Sequence, residues 1–337
     1  MMGLGKPRGA VAAISVDLDE VPCYAAIHGL LDSPDPAVRA QLAASQQAIY
    51  ERALPRLVRL FEEEGLRATF FVIGRDVAAP GNAERLRGLV HAGHELGNHT
   101  FHHRYDFSRR DASDIEADIA EAHAVITEAT GFAPHGFRAP GYTLSDVVVE
   151  KLVKLGYRYD SSVFPCPAYY SAKALAMGAM RARGRVSRSV LDDPRVLLAS
   201  ADPYRMARPY RRRGRGLLQL PIGVTNSLTA RLPYIGTSLV LGGPVVAKTL
   251  SRAMLGRPLV NLELHGIDLA DAEADGLTWL APHQPDLRVP LAQKEAALRA
   301  AISGRNISEP AMRRLAVSMA RSASAIRSSA SPACSGA

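Results

Sequence analysis

The strongest constraint on this chain is an alternation along its length. Short apolar, partly β-branched runs, each closed by polar side chains, take turns with segments of helical spacing. Val11–Val16 runs into Asp17-Leu18-Asp19-Glu20, and Ala68–Ile73 (ATFFVI) reads as a second buried strand. A brief strand at His94–Gly97 enters a His-rich loop. Further strands are predicted at His135–Arg138, Tyr157–Asp160, Leu217–Leu220 and Leu259–Leu264, the last followed by His265. Between them the spacing predicts helices over about 36–64, 82–92, 111–130, 145–155, 244–255 and 291–303. In the first, Leu54, Leu57, Val58 and Phe61 share a face; in the third, Ile115, Ile119, Ala122 and Ile126 do. Repeated strand–helix units of this kind predict an α/β fold on a parallel sheet or barrel. Chemistry in such folds gathers at the carboxyl ends of strands. Asp17, Asp19, His99 to His103, Arg138, Asp160 and His265 all stand there.

Composition narrows the reading. A chain of 337 residues with 47% hydrophobic content can bury a large core, as one domain or two. No run approaches the roughly 18–20 apolar residues of a spanning helix. Leu239–Leu255, the longest, is broken by Gly242, Gly243, Pro244, Lys248 and Arg252, and reads as loop plus helix. No secretory leader is legible, so the expected address is cytoplasmic. Cys23, Cys166 and Cys334 are widely spaced and read as free thiols, which leaves a metal site to histidines and carboxylates. The net charge of +8 is concentrated between Arg181 and Arg215, where eleven arginines face Asp192, Asp193 and Asp202. Such a field favours anionic partners, or is a solvated Arg-rich loop. Without a recognition motif or an aromatic platform beside the arginines, nucleic acid is not an expected partner.

Five constellations carry chemistry. Asp17 and Asp19 are two apart in an extended segment, so both carboxylates can face one cavity, where a cation would relieve their repulsion; the alternative is a solvated loop or helix cap. His99 and His103, within GHELGNHTFHH, are four apart and would share a face of one helical turn. Two imidazoles plus a carboxylate leave metal positions open for water and substrate. His102 and His94 read as structural. In Phe137-Arg138-Ala139-Pro140-Gly141-Tyr142 the turn can present backbone N–H groups to a developing oxyanion, or is an ordinary Pro-Gly turn. Asp160 and His265 complete the set; a His at a strand end can protonate a leaving amine.

With these motifs in this order, the chain resembles the polysaccharide deacetylase family (NodB homology, carbohydrate esterase family four) from about Val11 to Asp268. RATFFVIG, GHELGNHTFHH and FRAPGY carry the likeness; YRYDSSVFP, LLQLP and the strand ending in His265 resemble the exopolysaccharide-locus branch. The resemblance implies a distorted (β/α) barrel over residues 1–303, with a basic insert at about 164–216, then a C-terminal helix remnant and a disordered tail over 304–337. It also implies one divalent ion, zinc or its relatives cobalt, nickel or manganese. Asp19, His99 and His103 would hold the ion, Asp17 would be the base and His265 the acid. Arg138 would hold Asp17, and Asp160 would pair with Arg138. The N–H after Pro140 would serve the oxyanion, with Gly141 or Tyr142 as donor. The implied reaction removes an N-acyl group, foremost acetyl, from an amino sugar; a deformylase or other small-amide hydrolase is the alternative.

Three departures stand out. Leu18 separates the two aspartates, and Gly141 stands where the family often has Tyr. Glu263 replaces an apolar residue two before His265, where it can pair with His265, bind substrate or turn to an Arg. Ala172–Met180 beside the arginines suggests peripheral contact with the inner membrane face and a lipid-linked sugar as substrate. Oligomeric state is open.

Overall fold

The computed structural model describes residues 11–226, 230–303 and 310–316. Its elements are β1 (Val11–Asp17), α1 (Val21–Ile27), α2 (Pro36–Ser45), α3 (Leu54–Glu63), β2 (Thr69–Val72), α4 (Asn82–His91), β3 (Glu95–Asn98), α5 (Ala112–Thr130) and β4 (Gly136–Phe137). They continue with α6 (Asp146–Lys154), β5 (Tyr159–Asp160), α7 (Pro167–Ala182), β6 (Tyr204–Met206), β7 (Arg213–Gln219), α8 (Gly236–Ala253), β8 (Leu259–His265) and α9 (Leu291–Ile302). The strands form one curled eight-stranded sheet in the order β6-β7-β5-β4-β3-β2-β1-β8. Every neighbouring pair is parallel except β6 with β7. This is the distorted α/β barrel, its sheet left open, with the strand order ending at β6 and β8.

The sheet is buried on both faces, and the faces differ in kind. Ile14, Val16, Leu262, Leu264, Phe70, Val72 and Leu96 pack with Leu54, Leu57 and Phe61 of α3 and with Leu239, Val240 and Ala247 of α8. Each such side chain taken from water stabilises the fold by about 1.5–3 kcal/mol. The alternate positions, Ser15, Asp17, Thr69, Glu95, Asn261 and Glu263, are polar yet buried, and they line the inside of the curl. Two glycines leave room there. A Cβ on Gly97 would lie 2.5 Å from the Phe71 ring, and one on Gly136 would lie 2.1 Å from Tyr159.

Several elements differ from the sequence expectation. The helix expected over 36–64 is two helices with a wide turn at Ile49–Ala53 between them. Glu20 is the cause: its buried carboxylate accepts the N–H groups of Ile49 (3.2 Å) and Tyr50 (3.0 Å) and opens the helix there. Glu20 also caps α1, which has no long apolar stripe and was not expected. The helix expected at 244–255 starts at Gly236 and kinks at Gly243 (φ 71°) before Pro244. The basic insert is partly woven into the sheet, since β7 begins at Arg213 and pairs antiparallel with β6. Its arginines are not all free charge: Arg188 pairs with Asp32, Arg208 with Glu150, and Arg185 bonds the His28 carbonyl. The tail expected to be disordered lies largely outside the described residues, of which 311–316 are helical.

Candidate active site

Register alone brings the chemistry together. Asp17 at the end of β1 is the direct cross-strand partner of His265 at the end of β8. Phe137 pairs with both Asn98 and Asp160, which sets the His loop, Arg138 and Asp160 around the same rim. Asp17, Glu263 and His265 bring ligand-type atoms within 4.8 Å of one another.

The metal candidates converge beside them. Asp19 Oδ1 lies 3.3 Å from His99 Nε2, and Asp19 Oδ2 lies 3.3 Å from His103 Nε2. His99 and His103 do not share a helical face as their spacing suggested; they sit in a loop after β3 in which Thr100 (φ 66°) and His103 (φ 51°) are left-handed. The loop is clamped instead. Asp118 of α5 accepts the Phe101 and His102 N–H groups at 3.0 Å each, and its oxygen lies 3.0 Å from His102 Nδ1. Thr100 Oγ1 accepts the His103 N–H at 3.0 Å. Left-handed backbone at non-glycine residues is costly, and such strain gathers at functional sites. His99 Nδ1 lies 2.7 Å from the Arg138 carbonyl, which as acceptor fixes the tautomer and leaves Nε2 facing Asp19. Asp19 Oδ1 and both His103 ring nitrogens are buried without a hydrogen-bond partner, as a cradle for a cation requires. Burial would raise the Asp19 pKa, but His103 and His99 hold it well below the usual carboxylate range. Cys23, read from sequence as an ordinary free thiol, comes within 4.8 Å of ligand atoms of Asp19 and His103.

Arg138 is fully buried, and it orients the other aspartate. Its Nη1 donates to Asp17 Oδ1 at 2.6 Å, Nη2 to Ser15 Oγ at 2.8 Å and Ser161 Oγ at 3.0 Å, and Nε to the Ser161 carbonyl at 3.0 Å. Asp17 Oδ2 is left buried and unpartnered, 3.8 Å from His99 Nε2. The expected pairing of Asp160 with Arg138 is corrected here. Asp160 accepts from the Ser162 N–H (2.9 Å) and Ser162 Oγ (2.6 Å), so its carboxylate is spent on the strand end that seats Arg138. Burial moves the Asp160 pKa up to about 6. Ser15, Ser161 and Ser162 were not singled out in the sequence, although Ser15 shares the face of Asp17 by strand period.

At the opposite wall, Glu263 Oε1 lies 2.9 Å from His265 Nδ1. Burial pulls the His265 pKa down, yet Glu263 foremost, with Asp17 and Asp19, offsets this and lifts it well above the ordinary 6.5. Tyr142 Oη stands 3.4 Å from His265 Nε2, and Asp268 accepts the His265 N–H at 2.8 Å. Asp268 was also missed; its sign in the sequence is a carboxylate three residues after His265, where it caps the turn that follows. In the Pro140–Tyr142 turn, the Tyr142 N–H donates to the Ala139 carbonyl at 3.1 Å. Of the two candidate donors, Gly141 is therefore the one left for an oxyanion. A cavity of about 990 Å³ opens beside His103, lined in part by Arg75, Asp76, Arg104, Tyr105 and Arg188. No helix among the described residues is long and apolar enough to cross a membrane.

Comparison with known proteins bears on the fold and on the class of reaction. The family model for polysaccharide deacetylase matches residues 32–159, a span that holds His99, His103 and Arg138. A peptidoglycan deacetylase of Helicobacter pylori is 33% identical over 153 residues, covering 45% of this chain and 49% of that protein. A peptidoglycan-N-acetylglucosamine deacetylase of Bacillus cereus is 32% identical over 104 residues, 31% of this chain and 47% of that one. The chain thus spans about half the length of the curated relatives it matches. A crystal structure from Mycobacterium smegmatis, of a protein assigned as a polysaccharide deacetylase, superposes with a TM-score of 0.55. It covers 95% of this chain and 94% of its own at 19% identity, a likeness of fold.

Proposed function

We propose that this chain, which matches the polysaccharide deacetylase family over residues 32–159, hydrolyses the N-acetyl group of an amino sugar, with a divalent cation held by Asp19, His99 and His103. The observation that carries the reading is the pair of opposed devices on one rim: Asp17, steadied by Arg138, and His265, backed by Glu263. Relatives named as deacetylases of peptidoglycan and chitooligosaccharides support N-acetyl sugars as the substrate class.

When bound, the cation supplies a Lewis acid for the amide carbonyl and eases ionisation of a water. Arg138 occupies Asp17 Oδ1 and leaves Oδ2 free to take the proton of the attacking water. The water oxygen adds to the carbonyl carbon, and the Gly141 N–H donates to the oxygen that gains charge. Glu263 keeps His265 protonated, so His265 delivers its proton to the departing nitrogen as the C–N bond breaks. The products are acetate and a free amine. The cavity beside His103 offers room for further sugar residues or a linked group.

Within that reading we place the enzyme at the cytoplasmic membrane face, on a lipid-linked sugar. Exposed Leu175 and Val186 flanking Arg181 and Arg183 support it. Vesicles of anionic lipid should sediment the protein at low salt; failure to do so removes this part alone. The main test is release of acetate and amine from N-acetylated oligosaccharides, with N-formyl analogues in parallel. Asp17→Ala should lower turnover about 10²–10⁴-fold with the metal retained. No release from any N-acyl sugar, or release unaffected by Asp17→Ala, would sink the proposal.

A further inference from the structure

Lys173 stands at the rim without a task in the mechanism. Lys173 belongs to α7, a helix beyond the family-matched span in which no residue is fully buried. Its side chain nevertheless turns inward. Lys173 Nζ donates to the Gly141 carbonyl at 3.2 Å and lies 5.9 Å from the centre of the Tyr169 ring. Burial brings its pKa down to about 8, with Asp192 limiting the drop, so the ammonium form still prevails at neutral pH.

The carbonyl it touches belongs to the residue whose N–H the oxyanion needs. Gly141 (φ 60°) and Tyr142 (φ 62°) are consecutive left-handed residues, and for Tyr142 this is a conformation that its surroundings must impose. Tyr105 and Lys173 close in on Gly141: a Cβ there would lie 3.2 Å from Tyr105 Cδ1 and 3.5 Å from Lys173 Nζ. Tyr105 in turn stands edge-on to His103, ring centres 5.0 Å apart. The turn is thus held from the His103 side by an aromatic edge and from α7 by a charged donor.

We propose that Lys173 is a positioning residue, whose ammonium, carried over the site by α7, fixes the Gly141 turn so that the Gly141 N–H meets the developing oxyanion. The inference rests on the deacetylase reading. It makes α7 a working part of the site, although its sequence suggests only an apolar surface helix. A hydrogen bond from a charged donor is stronger than a neutral one, and it acts here on a carbonyl directly attached to the residue that must be aimed. A donor misplaced by even about 1 Å can cost on the order of 10²-fold in rate.

The test compares Lys173→Met, which keeps the stem and loses the donor, with Lys173→Arg, which keeps charge and donor. Acetate release should show kcat about tenfold lower in Lys173→Met with KM within twofold, and at least partial recovery in Lys173→Arg. Amide hydrogen exchange of Tyr142 and Thr143 should speed up about tenfold in Lys173→Met while the denaturation midpoint stays in place. Lys173→Gln, which retains a neutral donor, is the second variant should the methionine form fold poorly; it should fall between wild type and Lys173→Met. Unchanged kcat in an active wild-type background, or unchanged exchange of the turn, overturns the inference and leaves the deacetylase reading standing. Wild type inactive on every N-acyl sugar overturns that reading and the part of Lys173 in the reaction with it. The exchange measurement then still decides whether Lys173 holds the turn.

Discussion

Replacing Arg138 by Met should destabilise the metal-free protein by about 3–5 kcal/mol, the usual cost of leaving one member of a buried ion pair unpaired. The structure says why the figure should lie near the pair alone. Asp17 is 1% exposed and Arg138 0%, so water cannot replace the lost guanidinium. The two hydroxyls that Arg138 touches have alternatives: Ser15 Oγ also reaches Asn261 Oδ1 at 3.2 Å, and Ser161 Oγ donates to the Leu220 carbonyl at 2.8 Å. Methionine fills most of the volume over the Phe71 ring, which the guanidinium carbon now covers at 4.3 Å. The stranded Asp17 carboxylate is therefore the main loss. Asp17→Asn in the Arg138→Met background removes that charge, and the double variant should recover about 2–3 kcal/mol of the single variant's loss. Urea unfolding at pH 7 in chelator, with equal slopes across the four proteins, measures the cycle. A loss below about 1 kcal/mol for Arg138→Met, or strictly additive variants, would refute the claim that these two side chains form one buried unit.

Two further outcomes follow from the His265 wall. Glu263 raises the His265 pKa, so the proton needed by the leaving amine persists to higher pH and is lost as pH rises through that raised value. Glu263→Gln should shift the alkaline limb of the kcat profile to lower pH; an unmoved limb would separate Glu263 from the acid. Gly236 faces Asp268, and a Cβ there would lie 1.7 Å from Asp268 Oδ2, the atom that accepts the His265 N–H. Gly236→Ala should cost about 1–3 kcal/mol by overpacking and lower turnover as well. Denaturation and acetate assays that both match wild type would show that the Asp268 cap is dispensable.

Much of this was legible in the sequence because strand ends are local. Val11–Val16 followed by Asp17 and Asp19 states both a buried strand and the chemistry at its end, and the β1–β8 register then places His265 opposite without further information. What stayed hidden depends on distant partners. His99 and His103 meet through a left-handed loop clamped by Asp118, which their spacing does not encode. The bend between α2 and α3 needs Glu20, about 30 residues earlier in the chain, to take two backbone donors. Asp160 pairs with Ser162 in preference to Arg138 because Ser162 is two residues away on the same strand end, and Ser161 reaches Arg138 first. Lys173 sits in a helix whose composition reads as surface, and only packing against Gly141 shows its inward turn.

The measurement closest to the central claim is calorimetric titration of Zn2+ into chelator-stripped protein. One equivalent should bind to wild type and to Asp17→Asn, and binding should fail in Asp19→Ala and in His103→Ala. Absence of binding to wild type, or an Asp19→Ala protein that binds zinc as wild type does, would contradict the account.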